Sequence, residues 1–333
     1  MSSPTAPPSA TVPAPAVTAP PPAAKPPVSV PPVVTDPAQV RAILADPRYT
    51  VPDPGRGAPP GTMHWLRQSV ARFSSGEDHA RRRDLATQLL LGLDPLLLRA
   101  SAYHEASAVI DRAARAPFDA ITLVARRVPG LVLAAALGAA EPEQVTGALP
   151  EVAAAYLPGA ADPQRADGSV ARLIELLPTG PAELVAARIG LLIQAYAATA
   201  GLIGTSVADG LRTGGGAPVA GLVRETLLGH PPVLVTGRVG PDGETITLDL
   251  TAASRDPRAG RNPRDDLDPR NDLAGSLAFG YGMHGCPGAA QARALAEGSA
   301  EPLLARCRLT DERVSYPAPP AAQVPDRLEL AET

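Results

Sequence analysis

The chain has few aromatic residues, few cysteines and almost no lysine. Phe, Trp and Tyr together make up 3% of its 333 residues, so Ala, Leu and Val must fill the core, which favours helices. Its two cysteines, Cys286 and Cys307, could formally pair, but intracellular proteins with so few usually keep free thiols. Lys25 is the only lysine, and the net charge is −4, so the composition does not indicate a basic surface that would bind nucleic acid.

Long apolar runs are also missing. No stretch approaches the roughly 18 uninterrupted apolar residues of a membrane span. The N-terminus has no basic region followed by an apolar one, so no signal peptide is indicated. The sequence therefore predicts a soluble cytoplasmic protein that makes no contact with a membrane.

Proline separates a tail from a folded domain. Twelve prolines lie within residues 1–32, which excludes a helix or a central strand and predicts a disordered, polyproline-like tail. Residues 33–333 should form a single domain, whose first helix is capped by Thr35 or Asp36 and runs through Leu44. Further helices are predicted at 78–91, 97–114, 117–138, 168–177, 182–212, 219–229 and after Cys286, and two short strands within 233–252. This pattern indicates a mainly α fold with a small β component.

A glycine-rich loop around Cys286 is the most informative segment. Residues 279–288 read Phe-Gly-Tyr-Gly-Met-His-Gly-Cys-Pro-Gly and lead into a predicted helix. A thiolate at a helix N-terminus is stabilised by free backbone N–H groups and by the helix dipole, and glycines let the backbone approach a flat partner closely. A cysteine that ligates haem iron needs these properties. The alternative is a structural cysteine buried in a glycine-rich turn.

The loop resembles the haem-binding loop of the cytochrome P-450 superfamily at every fixed position. The resemblance implies haem b as cofactor, with the thiolate of Cys286 as the axial ligand of its iron. It also implies that Phe279, Gly280 and Gly288 contact the haem, and that His284 reaches a haem propionate.

Two further segments resemble propionate-binding parts of the same family. Residues 77–83 read Glu-Asp-His-Ala-Arg-Arg-Arg, and His79 and Arg83 match a histidine and an arginine that hold a propionate from one helix. Positions i and i+4 share a helix face, so two cationic donors can grip one carboxylate. The alternative is a solvated basic helix face. Arg238 resembles the family arginine that holds a propionate from a strand.

The long helix 182–212 departs from the family pattern. Family members that activate oxygen carry an acid followed by threonine, which relay protons. One alignment puts Ala197 and Ala198 at these positions, and a shift by one residue puts Ala198 and Thr199 there, so the carboxylate is absent in both. Thr199 is then the remaining candidate alcohol, unless its hydroxyl only bonds back within the helix.

Two other departures concern a carboxylate and the length of the chain. Leu228 stands where the family places the arginine partner of Glu225, so we predict a Glu225–Arg270 pair, because a buried unpaired carboxylate is costly. The alternative is an exposed Glu225. The resemblance also implies that the first helix and part of the N-terminal sheet are missing, which would leave the substrate entrance more open or covered by a partner.

Three functions are compatible with the sequence. The first is a haem-thiolate monooxygenase that acts on a small apolar organic molecule of secondary metabolism and takes electrons from a ferredoxin-type partner. The second is a haem enzyme that does not activate dioxygen, of the peroxide-dependent, dehydratase or isomerase type. The third is a non-catalytic auxiliary partner of a biosynthetic enzyme, which the intact Cys286 loop argues against.

Overall fold

The computed structural model describes residues 31–157, 162–214, 216–256, 273, 276–317 and 322–333. The chain from Pro31 to Thr333 forms one compact unit. The predicted tail lies outside the described residues apart from its last two prolines, and so does Arg270, the predicted partner of Glu225. Glu225 itself is exposed.

Helices make up most of the described residues, which confirms the mainly α fold with a small β component. They are α1 (Pro37–Ala45), α2 (Met63–Ser69), α3 (Gly76–Leu91), α4 (Pro95–Ala113), α5 (Val128–Ala136), α6 (Pro142–Tyr156), α7 (Asp167–Leu176), α8 (Ala182–Arg212), α9 (Val219–Gly229), α10 (Leu250–Arg255) and α11 (Ala289–Arg306). The local sequence determines where several of these helices begin. The side chains of Asp36, Thr62 and Asp94 accept backbone N–H groups at the first turns of α1, α2 and α4, as expected for N-cap residues.

The short strands form two three-stranded sheets. In the first, β1 (Val33–Val34) runs parallel to β4 (Thr245–Asp249), which pairs antiparallel with β3 (Val235–Val239). The predicted turn between β3 and β4 is present, with Gly243 at a φ of +82° that favours glycine. The second sheet has the order β2 (Phe118–Asp119), β6 (Glu329–Glu332) and β5 (Cys307–Leu309), all antiparallel.

The prediction of one continuous helix over 117–138 is wrong. The segment contains β2, a π-helical turn at Ile121–Ala125 and then α5. The carboxylate of Asp119 accepts the backbone N–H groups of Ile121 and Leu328, each at 3.1 Å, and so fixes the end of β2 beside the C-terminal strand. The pairing partner of β2 lies about 200 residues away, and apolar periodicity carries no information about such a distant partner.

Three helices, α2, α6 and α10, were not predicted. In α6 the sequence contains two prolines, which normally indicate a break. Pro142 occupies the first turn, where its missing N–H costs nothing, and Pro150 lies inside the helix. The burial of Val145, Leu149 and Val152 in the core outweighs the cost of that interior proline.

Helix α8 is the central helix of the core. It is long and apolar enough to cross a membrane, but 67% of its most apolar window is buried inside the protein. The carboxylate of Glu183, in its first turn, accepts hydrogen bonds from Arg81 and Arg82 of α3, each at 2.8 Å. This clamp holds α3 against the start of α8, and both helices contribute residues to the cavity described below.

A smaller apolar cluster holds the Cys286 loop against α1. Val40 and Leu44 of α1 pack with Leu248 of β4 and with Leu277, just before the loop. Gly282 has a φ of +67°, and a Cβ atom there would lie 2.5 Å from the carbonyl oxygen of Leu44. Only glycine permits this close approach, so the sequence fixes where the loop meets α1.

Candidate functional site

Backbone hydrogen bonds fold the Cys286 loop into a compact turn. The N–H of Cys286 donates to the carbonyl oxygen of Phe279 at 2.7 Å, and the N–H of Gly280 donates to that of Leu277 at 2.8 Å. Gly280 has a φ of +72°, which a residue with a Cβ atom rarely adopts. The loop therefore depends on its glycines to present the Cys286 side chain directly before the start of α11.

The Cys286 side chain is accessible, and its accessible surface faces an internal cavity. Enclosure by the surrounding protein raises the pKa of the thiol. A hydrogen bond from the backbone N–H of Gly288 and the positive charges of Arg83 and Arg72 act in the opposite direction. A cation bound beside this sulfur would add to these effects and stabilise the thiolate.

The predicted cofactor-binding residues line one cavity of about 500 Å³. Its walls come from α3, α8, β3, the Cys286 loop and the first turns of α11. Among the residues that line it are His79, Arg83, Arg238, Phe279, Gly280, His284, Cys286 and Gly288, together with Ala198 and Thr199 from the predicted distal site. Ala197 is not among the lining residues and packs against the core instead.

Arg238 is almost fully buried beside the cavity, with 4% of its surface exposed. One terminal nitrogen of its guanidinium donates to the carbonyl oxygen of Gly237 at 2.8 Å and to the hydroxyl of Thr236 at 3.3 Å. Burial, and to a lesser degree the charge of Arg72, lowers the pKa of Arg238 to about 10. The group stays charged at neutral pH, and within the described residues it has no salt bridge to a carboxylate.

The two predicted propionate-binding histidines lie side by side. The ring centroids of His79 and His284 are 4.1 Å apart. Burial lowers the pKa of both, and the charges of Arg83 and Arg238 act in the same direction, so that the pKa of His284 falls to about 3. Both rings are therefore neutral at pH 7, and each retains one N–H group that can donate to an oxygen acceptor.

The described lining of the cavity carries cations but no carboxylate. Among its described lining residues are three arginines, Arg72, Arg83 and Arg238, and no Asp or Glu. Positive groups gathered without a counter-ion are unfavourable in a partly buried site, so such a cluster is typical of an anion-binding site. Haem fits this chemistry, since its two propionates match the cations, its flat macrocycle matches the apolar walls, and its iron matches the one thiol.

The face of α8 that borders the cavity is nearly apolar. It presents Leu191, Gln194, Ala195, Ala198, Thr199 and Leu202. Thr199 is buried, with 2% of its surface exposed, and the amide nitrogen of Gln194 donates to the carbonyl oxygen of Gly190 at 3.0 Å. Thr199 and Gln194 are thus the polar side chains that α8 offers to the cavity.

Arg72 and Gln194 are among the lining residues that the sequence-based reasoning did not assign to the site. Arg72 lies in a short 3-10 segment before α3, so no helical spacing connects it to His79 or Arg83. Gln194 lies one turn before Ala198 on α8, and this i, i+4 relation was the signal that could have found it.

A second, polar cavity of about 460 Å³ adjoins the first. The loop at residues 53–57, the end of α2 and the start of α3 line it, with Asp78 and Arg82 among its charged groups. Val51 and Phe73 line both cavities and therefore form part of the partition between them. The ring of Phe73 packs against that of Tyr156 with centroids 5.1 Å apart.

Comparison with known proteins supports the fold. No protein-family model and no curated protein sequence matches the chain. Among solved structures, CalO2 matches with a TM-score of 0.71 at 21% identity, over 90% of each chain. The P450BioI structure, a complex with an acyl carrier protein that carries hexadec-9Z-enoic acid, matches with 0.70 at 21% identity, over 90% of this chain and 91% of that one. CYP154A1 from Streptomyces coelicolor A3(2) matches with 0.68 at 22% identity, over 90% and 91%. The chain has the cytochrome P-450 fold.

Proposed function

We propose that the protein binds haem b in the 500 Å³ cavity, with the thiolate of Cys286 as axial ligand, and acts as a haem-thiolate oxidoreductase on a small apolar organic molecule. The observation that carries this proposal is the composition of the cavity. One accessible thiol, Cys286, faces the same space as Arg83 and Arg238, and the described lining contains no carboxylate. A cytoplasmic location stays a prediction from the sequence.

The residues of the cavity have distinct roles in this proposal. Haem bound through a thiolate supplies an iron centre that can activate oxygen species or bind a substrate. The N–H of Gly288 holds the sulfur of Cys286, and Arg83 and Arg238 hold the propionates. His79 and His284 donate N–H groups to the same carboxylates. The apolar side chains of α8 exclude water and hold an apolar substrate.

Two classes of reaction fit this site. A monooxygenase would take electrons from a ferredoxin-type donor and would need a route for protons into the cavity. Ala198 cannot transfer a proton, so the Thr199 hydroxyl, with bound water, is the group on α8 left to do so. The missing carboxylate specifically favours a second candidate, a haem enzyme that uses peroxide or that dehydrates or rearranges its substrate.

The first experiment is the reduced, carbon monoxide-treated difference spectrum of the purified protein. We expect a Soret band at the wavelength typical of thiolate ligation, and we expect the Cys286→Ser variant to lose it. The matched control is Cys307→Ala, because Cys307 is the other cysteine and lies buried in β5, away from the cavity. A thiolate band that persists in Cys286→Ser would show that the ligand is wrongly assigned. A wild-type protein that binds no haem would favour the auxiliary-partner function instead.

The second experiment separates the two reaction classes. Substrate conversion is compared with a ferredoxin, its reductase and dioxygen, with hydrogen peroxide alone, and with neither oxidant. Conversion only with the electron-transfer system supports the monooxygenase. Conversion with peroxide alone, or with no oxidant, supports the second candidate.

A further inference from the structure

Arg72 is the one arginine of the cavity to which the family resemblance assigns no role. It lies in the short segment Ala71–Phe73, and its guanidinium carbon is 5.9 Å from the centroid of the Phe73 ring. Within the described residues, its side chain takes part in no hydrogen bond and no salt bridge. The guanidinium therefore borders the cavity with no counter-ion among the residues that the structure describes.

In the proposed holoprotein, the positive charge of Arg72 is additional to those that balance the two propionates. Ferric iron, the porphyrin ring and one thiolate together are neutral, so the two propionates are the charges that the cavity must balance. Arg83 and Arg238 supply two positive charges, which match the two propionates. Arg72 adds a third positive charge with no acid among the described lining residues to balance it.

Arg72 lies close both to the buried cation Arg238 and to the end of α6. Its charge contributes to the lowered pKa of Arg238 on one side, and on another it opposes the burial that raises the pKa of Tyr156 at the end of α6. Leu157, the residue after Tyr156, lines the apolar part of the same cavity. A partly buried cation without a partner is unfavourable, and a carboxylate bound beside it removes that cost.

We propose that Arg72 binds the carboxylate of the substrate, so that the site selects an organic acid with an apolar body. This inference rests on the proposed function and names its substrate class. The carboxylate would be held by the Arg72 guanidinium at one end of the cavity, and the apolar body would lie along the leucines and alanines of α8.

Calorimetric titration of the holoprotein tests the proposal with matched pairs of ligands. Linear carboxylic acids from hexanoate to tetradecanoate are each compared with the primary amide of the same length. We expect the wild-type protein to bind the acid more tightly than the amide. In Arg72→Gln, the Kd of the acid should rise about 10-fold or more while that of the amide stays nearly constant. Arg126→Gln is the control, because Arg126 is exposed and lies outside the cavity. It should leave both values unchanged.

The same variants separate the substrate carboxylate from a haem propionate. Haem transfer to apomyoglobin is followed by the Soret absorbance of each protein. If Arg72→Gln releases haem faster and keeps the wild-type preference for acid over amide, Arg72 serves a propionate and the proposal is wrong. A wild-type protein with no preference for acids overturns it equally. Failure of the proposed function has a different signature, namely the absence of the carbon monoxide band.

Discussion

At the scale of single residues, the buried cation Arg238 has opposite effects on the stability of the ligand-free protein and on the binding of an anion. Its guanidinium satisfies part of its hydrogen-bonding capacity with Gly237 and Thr236, and its surroundings lower its pKa to about 10. Burying a charge without an ionic partner costs free energy in the protein that lacks a ligand. The same group becomes favourable when an anion occupies the cavity.

The Arg238→Gln substitution should therefore have opposite effects on the two states. Without haem, the free energy of unfolding should be unchanged or higher, since an uncompensated charge is removed. With haem, the affinity should fall about 10- to 100-fold, which corresponds to one lost charge-assisted hydrogen bond. Denaturant titration of the haem-free protein and haem transfer to apomyoglobin measure the two quantities.

Arg308→Gln is the matched control, because Arg308 is an exposed arginine on a strand of the other sheet. It should alter neither measurement. Haem affinity equal to that of the wild type in Arg238→Gln would contradict the assignment of Arg238 to a propionate.

At the scale of helices and strands, α11 and α4 pack so closely that their contact depends on one glycine. A Cβ atom at Gly298 of α11 would lie 2.1 Å from the carbonyl oxygen of Arg99 in α4. The Arg99 side chain also pairs with Glu297 at 3.2 Å and with Glu301 at 3.0 Å. Because α11 begins directly after the Cys286 loop, this packing fixes the direction in which the loop is presented.

We expect Gly298→Ala to lower the free energy of unfolding by about 1–3 kcal/mol, because backbone atoms must move apart. Gly221→Ala provides the control, since Gly221 is also helical, in α9, and a Cβ atom there meets nothing within 4 Å. That variant should be more stable than the wild type by about 0.5–1 kcal/mol, because alanine favours helices. Thermal or denaturant unfolding distinguishes the two, and equal stability of both variants would contradict the close packing.

Short motifs in the sequence indicate the candidate site residues, whereas several elements of the fold depend on contacts between distant parts of the chain. The Cys286 loop and the spacing of His79 and Arg83 are contained in short segments, so the sequence alone indicates their chemistry. Arg72 joins these residues only through the tertiary structure, and no spacing points to it. Among the elements, β2 needed a pairing partner from the C-terminus, and α6 was obscured by Pro142 and Pro150, which the core tolerates.

At the scale of the whole molecule, the clamp between α3 and α8 contributes to stability against acid. The hydrogen bonds from Arg81, and then those from Arg82, lower the pKa of Glu183 from its ordinary value of 4.5 to about 2. A carboxyl group whose folded pKa lies below its unfolded value stabilises the fold above the unfolded value. This contribution is complete above pH 4.5 and is lost as the pH falls towards 2.

The Glu183→Gln variant should be less stable than the wild type by about 1 kcal/mol at pH 7, a modest value because solvent screens this partly exposed group. The difference should shrink below pH 4.5 and vanish near pH 2. Urea denaturation across this pH range measures it. Glu175→Gln is the control, since Glu175 pairs with Arg172 at the surface of α7. A difference that does not depend on pH would show that the carboxylate charge of Glu183 is not the cause.

The wall shared by the two cavities has a consequence for the rates at which a ligand binds and leaves. Phe73 and Val51 separate a polar space of about 460 Å³ from the apolar one of about 500 Å³. If a molecule passes between them at this wall, the Phe73 ring would have to leave its contact with Tyr156. Its association and dissociation would then share one slow step, and a smaller side chain at position 73 would speed both while leaving their ratio, the equilibrium affinity, nearly constant.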